Sequence, residues 1–439
     1  MNVVLQNSLT LLILLIALPL NLGIVLFSLI ISRVIAPWRQ PPTLTNPKRI
    51  LITGGKMTKA LQLCRSFQQA GHKVVLVETS KYWLSGHQFS QAVSKFLTVP
   101  APDKDTEGYY QNLLKIVENE KIDVFIPVSS PVASYYDAVV GTLLSAHCEV
   151  IHFSPTITQM LDDKFTFCQK AQSLGLSAPK SFLITNPQQV LDFDFNTDGS
   201  QYILKSIRYD SVSRLEKKLL PYPEMGDYLH NLPISTENPW IMQEFIRGQE
   251  YCTHSTVRQG KIRLHCCSPS SPFQVNYEHV EKPEIFGWVN KFVQELNLTG
   301  QISFDFIETP QGKVYPIECN PRTHSAITMF YNHPGVAEAY LKDGGDNEVI
   351  VPLPNSKPTY WLYHELWRLS EVKSWSDLRK RLTIIRQGTD ALFQFNDPLP
   401  FLTVPHWQIT LLLLDNLRKL KGWIRIDFNI GKLVESGGD

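Results

Sequence analysis

The run Ser303-Phe-Asp305-Phe-Ile-Glu-Thr-Pro-Gln-Gly-Lys-Val-Tyr-Pro-Ile-Glu318-Cys-Asn320, followed at once by Pro321 and Arg322, decides how the chain is read. Two strand-like segments flank a turn, which predicts a β-hairpin. With Gln311 and Gly312 as the central turn residues, Pro310 pairs with Lys313 and, counting outward, Asp305 pairs with Glu318. A turn one residue longer would shift that pairing. Directly opposed residues hold their Cβ atoms about 4.5 to 5.5 Å apart on one face, so two carboxylates placed there repel unless a cation lies between them. Alternation puts Asn320 on the same face and sends Phe304, Phe306, Tyr315 and Ile317 to the other. Hard oxygen donors without thiolate or imidazole suit Mg²⁺, or Mn²⁺ in its place, carrying phosphate. Asp305, Glu318 and Asn320 are therefore the expected metal ligands. A solvated sheet face with incidental acids is the plainer alternative.

Working outward, Lys205 is a lone cation in the apolar strand Gln-Tyr-Ile-Leu-Lys205-Ser-Ile. Burying an ammonium is costly without an anion, and a nucleotide phosphate is one such partner. An edge-strand lysine whose stem lies along the sheet is the alternative. Asp162-Asp163-Lys164 falls within an expected helix from Thr156 to about Leu174, and alone would be a solvated charge cluster. Trp240-Ile-Met-Gln243-Glu244-Phe245-Ile246-Arg-Gly248-Gln-Glu250 is an apolar strand broken by glycine between two acids. Backbone groups at such a break can pair with an adenine edge while a carboxylate accepts from ribose hydroxyls. An ordinary hairpin with surface acids has the same pattern.

Taken in chain order, these residues resemble the ATP-grasp family: a strand lysine, a Gln-Glu-Phe-Ile…Gly-x-Glu segment, then Asp…Glu-x-Asn-Pro-Arg. The resemblance covers residues 49 to about 341. It implies an α/β plus α+β fold, with a pre-ATP-grasp open α/β domain leading an ATP-grasp module, and an ATP-dependent ligase activity forming a carbon-nitrogen bond. By position, Lys164 and Lys205 match the lysines on ATP phosphates, Gln243, Glu244, Phe245 and Ile246 the adenine hinge, and Glu250 a ribose-side acid. Asp305, Glu318 and Asn320 match the metal set, and Arg322 the arginine facing the transferred phosphate or substrate. The family's glycine-rich phosphate loop is replaced by Arg208-Tyr-Asp-Ser211-Val-Ser213-Arg214. There Ser211 and Ser213 with Arg208 or Arg214 are the side chains available to contact phosphate or substrate. A nucleotide-binding relative without catalysis is the rival that this loop raises.

A narrower resemblance, to the cyanobacterial mycosporine-glycine synthases, rests on the apolar N-terminus, Cys319-Asn-Pro-Arg-Thr-His324-Ser-Ala and a Trp-rich tail. It implies phosphorylating an acidic acceptor and joining glycine to 4-deoxygadusol, with a general carboxylate-amine ligase as the runner-up. His324 is then a substrate contact or a base, although a lone histidine is more often structural.

The rest of the chain bounds these readings. Its 439 residues carry 42 Lys and Arg against 41 Asp and Glu, a net charge of +1 that gives no support for nucleic-acid binding. Seven scattered cysteines with no CxxC pair suggest a reducing compartment without zinc. From Asn2 to Ser32 there is no charged residue, so residues 1–36 are expected to be a transmembrane or membrane-anchoring segment, which Pro19, Asn21 and Gly23 interrupt so that it forms a bent span or a re-entrant hairpin. A cleaved signal peptide lacks its basic n-region here, and a buried core helix seldom runs so long without polar residues. Arg33, Arg39, Lys48 and Arg49 place the body on the cytoplasmic side. Residues 37–48 form a proline-rich tether, 49–155 an open α/β domain, 156–345 the α+β module and 346–439 a Trp-rich C-terminal region. Gly54-Gly55 follows a strand but lacks GxGxxG spacing, so it reads as a tight structural turn. His406 to Asp427 reads as a basic amphipathic helix that lies on a bilayer or packs on the body. The partners expected are small-molecule substrates and a membrane.

Overall fold

The computed structural model describes residues 2–35, 44, 46–128, 130–196, 199–207, 218–271, 275–342 and 348–435. The chain opens with helix α1 (Val3–Ile35). Its buried positions include Asn7, Leu14, Asn21 and Ser28, spaced seven apart, with Val25 between the last two. Such a heptad seam buries one stripe and leaves the rest of the helix outside.

Strand β1 (Arg49–Ile52), helix α2 (Thr58–Gln69), strands β2 (Lys73–Thr79) and β3 (Lys95–Val99), helix α3 (Thr106–Glu120), strand β4 (Val124–Ile126), helix α4 (Ser134–Leu144) and strand β5 (Glu149–Val150) follow. The strands form a parallel sheet in the order β3-β2-β1-β4-β5. Ile50, Leu51 and Ile52 are fully buried, as expected of a parallel strand covered on both faces. Gly54 turns out of β1 at φ +74, and a Cβ there would sit 2.1 Å from the Val128 carbonyl oxygen. Both the left-handed backbone and the close approach require glycine, which accounts for the turn.

The single helix expected after Ser154-Pro155 is two, α5 (Pro155–Asp162) and α6 (Lys164–Ser173). Asp163 breaks them: its backbone is extended (φ −79, ψ 113), and its carboxylate accepts from the Phe165 and Thr166 amides at 2.9 Å. An aspartate that caps a new helix competes with continuing the old one. Strand β6 (Ser181–Ile184), helix α7 (Gln188–Leu191), strand β7 (Tyr202–Ser206), helix α8 (Met225–His230) and strand β8 (Trp240–Glu244) come next, with the strands in an antiparallel sheet ordered β6-β8-β7.

The second antiparallel sheet, ordered β10-β9-β12-β13, is built from β9 (Gln249–Arg258), β10 (Lys261–Pro269), β12 (Gly300–Glu308) and β13 (Val314–Asn320); β11 (Asn276–Tyr277) and α9 (Pro283–Glu295) lie between β10 and β12 in the chain. Beneath it Trp288 stacks on Phe292 at 5.1 Å, and Phe304 packs at 5.8 Å on Phe167 and 5.3 Å on Trp288. This aromatic core fixes the hairpin against α6 and α9.

The last residues form α10 (Val336–Leu341), β14 (Thr359–Tyr360), α11 (Leu362–Leu369), α12 (Trp375–Gln387), β15 (Thr389–Asp390), α13 (Leu399–Thr403), α14 (Thr410–Arg418), β16 (Arg425–Asp427) and β17 (Lys432–Val434). β14 pairs with β11, so the C-terminal region joins the preceding module edge to edge. It also shares one apolar core with α1 and the parallel sheet, including Leu14, Ile50, Leu61, Trp361 and Trp423. The helix expected over His406 to Asp427 is shorter. It leaves the helical path at Leu420 (φ +52), Lys421 N–H donates back to the Asn416 carbonyl, and the chain then enters β16. That left-handed closure ends the helix just after Arg418 and Lys419 and leaves Lys421 and Arg425 outside it.

A buried ion pair joins the two ends of the body. Arg65 Nε donates to Asp397 Oδ2 at 2.8 Å, with the two side chains 1% and 8% exposed. Arg65 also donates to the Leu392 and Asp397 carbonyls, while Ser90 and Gln91 donate to the Asp397 carboxylate. Removing one member strands a buried charge, so Arg65→Ala should cost about 3 to 5 kcal/mol in urea unfolding. A loss below about 1 kcal/mol, the scale of an exposed pair, would contradict this account.

Candidate active site

The hairpin places Asp305 opposite Glu318, as the sequence suggests, but by a different route. Near the turn Thr309 N–H donates to the Lys313 carbonyl, which encloses the three residues Pro310, Gln311 and Gly312, with Gly312 at φ +78. That turn is one residue longer than expected and offsets Glu308 onto Val314 and Phe306 onto Pro316. A bulge at Ile317 then absorbs one residue, and Asp305 meets Glu318, Phe304 meets Cys319 and Ser303 meets Asn320. The longer turn reverses which side chains of β13 point inward up to the bulge, and the bulge restores the expected facing beyond it. Val314 and Cys319 join Phe304 and Phe306 in the core, whereas Tyr315 and Ile317 are only half-buried.

Three cations surround the acids. Lys164 stands at the first turn of α6, held there by the Asp163 cap, and its Nζ lies 3.4 Å from Glu318 Oε1. Lys205, on β7 at the edge of its sheet, donates to Gln243 Oε1 at 2.7 Å; Gln243 is itself fully buried on β8. Arg322 donates to Asp162 Oδ1 at 3.1 Å and to Asn320 Oδ1. Burial, then the charges of Glu318 and Glu250, push the Asp305 carboxyl well above the ordinary range. Burial acts on Glu318 in the same sense, but Lys164, Lys205 and Arg322 outweigh it and hold Glu318 below its usual value. The pair thus divides into an acid that keeps its proton and a carboxylate that has lost it, which is how close acids share charge.

Among the described residues no group of three or more His, Cys, Asp or Glu side chains could hold a metal. The expected set is instead two carboxylates and an amide oxygen. These are hard donors of the kind Mg²⁺ takes, usually with phosphate completing its shell. Asn320 Oδ1 accepts from Arg322 and has a second lone pair. The donor chemistry and the crowding of negative charge at Asp305 fit such an ion.

The segment expected as the adenine hinge connects β8 to β9. Phe245 N–H donates to the Gln201 carbonyl at 2.7 Å and Glu244 N–H to the Lys180 carbonyl at 2.8 Å. The Glu244 carboxylate accepts from Lys180 N–H at 3.1 Å. Ile246 is buried, Phe245 half-buried, and Glu250 exposed at the start of β9. A Cβ on Gly248 would lie 2.0 Å from the Glu308 carbonyl oxygen, so glycine lets the hinge close against β12. Arg208, Ser211, Ser213 and Arg214 lie outside the described residues.

His324 is buried next to Arg322. Its Nδ1 accepts from Ala326 N–H at 3.2 Å, and its own N–H donates to His254 Nδ1 at 3.4 Å. Both rings therefore carry their proton on Nε2. Burial, then nearby positive charge, keeps both neutral, His324 being lowered to about 3. Neither Nε2 has a partner among the described residues. Nearby, Lys59 of α2 donates from Nζ to the Thr323 carbonyl at 2.7 Å and is lowered to about 7 by burial, then by Arg322 and Lys56. His254 and Lys59 escape a reading of the sequence. His254 lies in an unremarkable strand, and Lys59 approaches the site from a helix some 250 residues away from the hairpin.

No protein-family model matches the chain. A tyramine-L-glutamate ligase of Methanocaldococcus jannaschii is 29% identical over 130 residues, which are 27% of this chain and 41% of that protein. The chain thus matches less than half the length of that curated relative. Among solved structures, the N5-carboxyaminoimidazole synthetase of Staphylococcus aureus superposes with TM-score 0.53 at 17% identity, over 73% of this chain and 83% of that one. The biotin carboxylase of Campylobacter jejuni does so with TM-score 0.54 at 14% identity, over 68% and 72%. The fold is the ATP-grasp fold. The open α/β domain, the two antiparallel sheets and the apolar N-terminal helix are those expected from the sequence.

The raised Asp305 makes a prediction for the metal-free protein. Folded Asp305 retains its proton above the unfolded value of 3.8, so the folded state binds the extra proton in that window and stability falls as pH rises through it. Glu318 acts in the opposite sense and only below 4.5, where its stabilisation is lost as pH falls. Asp305→Asn should remove the decline on the neutral side, measured as melting temperature against pH without divalent ions. An unchanged slope would show that Asp305 is not the buried acid described.

Proposed function

We propose that the protein is an ATP-dependent ligase that phosphorylates an acidic oxygen of one small molecule and joins that molecule to an amino acid through a new carbon-nitrogen bond. The observation that carries this reading is Asp305 facing Glu318 across the hairpin, ringed by Lys164, Lys205 and Arg322. The ATP-grasp fold supports it, as does the partial match to a relative named as a ligase of an amine and an amino acid.

In this mechanism Asp305, Glu318 and Asn320 hold Mg²⁺, which when bound neutralises charge on the nucleotide phosphates. Lys164 and Lys205 bind phosphate oxygens, and Glu244 to Ile246 and Glu250 hold the adenosine. The acceptor's acidic oxygen attacks the terminal phosphorus and ADP leaves. The amine then attacks the activated carbon, phosphate departs, and the amine's proton is lost to solvent or a base. Arg322 stabilises charge on the transferring phosphoryl group, where such sites supply most of their acceleration. His324 is neutral and presents an Nε2–H, so it serves as a hydrogen-bond donor to substrate rather than as a cation.

The substrates proposed are glycine and 4-deoxygadusol. The vinylogous-acid oxygen of that ring is a poor leaving group until phosphorylated, which matches the sequence of steps. The same reading places the enzyme on the cytoplasmic face of a membrane, attached through α1.

Incubation with ATP, Mg²⁺, glycine and 4-deoxygadusol should give ADP and a new ultraviolet chromophore. Asp305→Ala or Glu318→Ala should each lower the rate at least about hundredfold, the scale of losing a group that stabilises developing charge. Full activity in both variants would reject the metal assignment. ATP binding without ADP release in any mixture of amine and acid would reject the ligase, and coupling of glycine to a simple carboxylic acid alone would reject the cyclohexenone.

A further inference from the structure

Helix α1 carries its polarity inside out. Its polar side chains turn toward the protein: Gln6 Nε2 donates to the Trp423 carbonyl at 2.9 Å, Asn7 Nδ2 to the Lys421 carbonyl at 3.0 Å, and Ser32 Oγ to the Phe395 carbonyl at 2.8 Å. Asn21 Nδ2 lies 2.6 Å from the Tyr363 hydroxyl and 2.8 Å from His406 Nε2. Between Val3 and Ser32 the outward positions are apolar except Ser8. Leu15, Ile16, Leu20, Phe27 and Ile30 are each between 61% and 70% exposed. A helix on a water-facing surface does the reverse.

The partners on the body fix the helix's orientation. Contacts from Asn7 to Ser32 run along roughly 38 Å of helix, at about 1.5 Å per residue. That exceeds a hydrocarbon core of about 30 Å. If α1 stood upright across a bilayer, Tyr363 and His406, which meet Asn21 near the middle of the helix, would be drawn into the hydrocarbon. So would the body behind them, which His406's neighbour Gln408 grips by accepting from Gly86 N–H at 2.7 Å. Lying flat, the helix buries its outer face and leaves the body in water.

The ends of the strip are basic. Arg33 closes one end. At the other, Arg418, Lys419 and Lys421 are at least half exposed, and between them they face two acids, Asp415 and Glu435. Leu420 and Ile424 project beside them, 69% and 59% exposed. An open apolar trough of about 460 Å³, lined by Pro19, Gly23, Phe27, Phe393 and Phe395, runs beside the middle of α1. Basic ends around an uncharged apolar strip complement anionic headgroups over acyl chains.

We propose that α1 lies flat in one leaflet of a bilayer containing anionic phospholipid, with its outward face among the acyl chains, and that it does not cross. This rests on the membrane attachment proposed above and specifies its mode. The test uses the full chain added to preformed phosphatidylcholine vesicles with and without phosphatidylglycerol. The protein should float with the vesicles, more strongly with phosphatidylglycerol. Leu20→Glu combined with Phe27→Glu should weaken flotation by more than about tenfold, the scale of withdrawing two large apolar side chains from hydrocarbon. Its melting temperature should stay unchanged, because both side chains face outward.

Asn2→Cys and Val34→Cys should both react with a membrane-impermeant maleimide on intact vesicles, above the background of the wild-type chain. Reaction of Asn2→Cys only after permeabilisation would show a crossing helix and overturn the flat mode while leaving attachment intact. Absence of flotation would overturn attachment itself. If it came with a concentration-dependent dimer that the double glutamate variant abolishes, it would identify a second copy as the occupant of the face.

Discussion

Two carboxylates held face to face on adjacent strands are the constraint around which the ATP-grasp body is arranged. Unaided, Asp305 and Glu318 would drive their strands apart, since opposed like charges destabilise a sheet. The protein offsets this with positive charge from separate elements. Lys164 arrives from the start of α6, Lys205 from the edge of the other sheet, and Arg322 from the loop beyond the hairpin. The resulting field is uneven. Glu318 receives most of the cationic contact and Asp305 most of the crowding by acids. The divalent ion with phosphate proposed for this site suits that field, because the pair brings positive charge to the acids and negative charge to the lysines together.

Much of this was legible because it is written in local pattern. The hairpin, its opposed acids and the two lysines follow from alternation and from charges stranded in apolar runs. The turn length and the bulge were not. Pro310-Gln311-Gly312 forms a three-residue turn that by itself would misalign Asp305, and Ile317 restores the alignment by bulging. Two errors of one residue cancel, and nothing in the strand pattern marks either. The same limit explains Asp163, where a helical period continues through a residue whose side chain caps a new start. Lys59 and His254 were illegible for another reason. Their importance comes from packing against Thr323 and His324, from segments far away in the chain. The C-terminal tryptophans were visible as a change of composition, but composition does not say what they pack against.

The packing of that region changes how the termini should be regarded. Trp361 Nε1 donates to Thr58 Oγ1 at 3.0 Å, Asp397 holds Arg65 of the same helix α2, and Asn21 of α1 reaches Tyr363 and His406. Helix α2 in turn carries Lys59 to the edge of the proposed active site. The C-terminal region therefore holds α2 with one set of side chains and α1 with another. A ribosome releases the N-terminal part long before its C-terminal clamp exists, so α1, with its polar seam unpaired and its apolar face bare, must wait through most of translation for the residues that complete it.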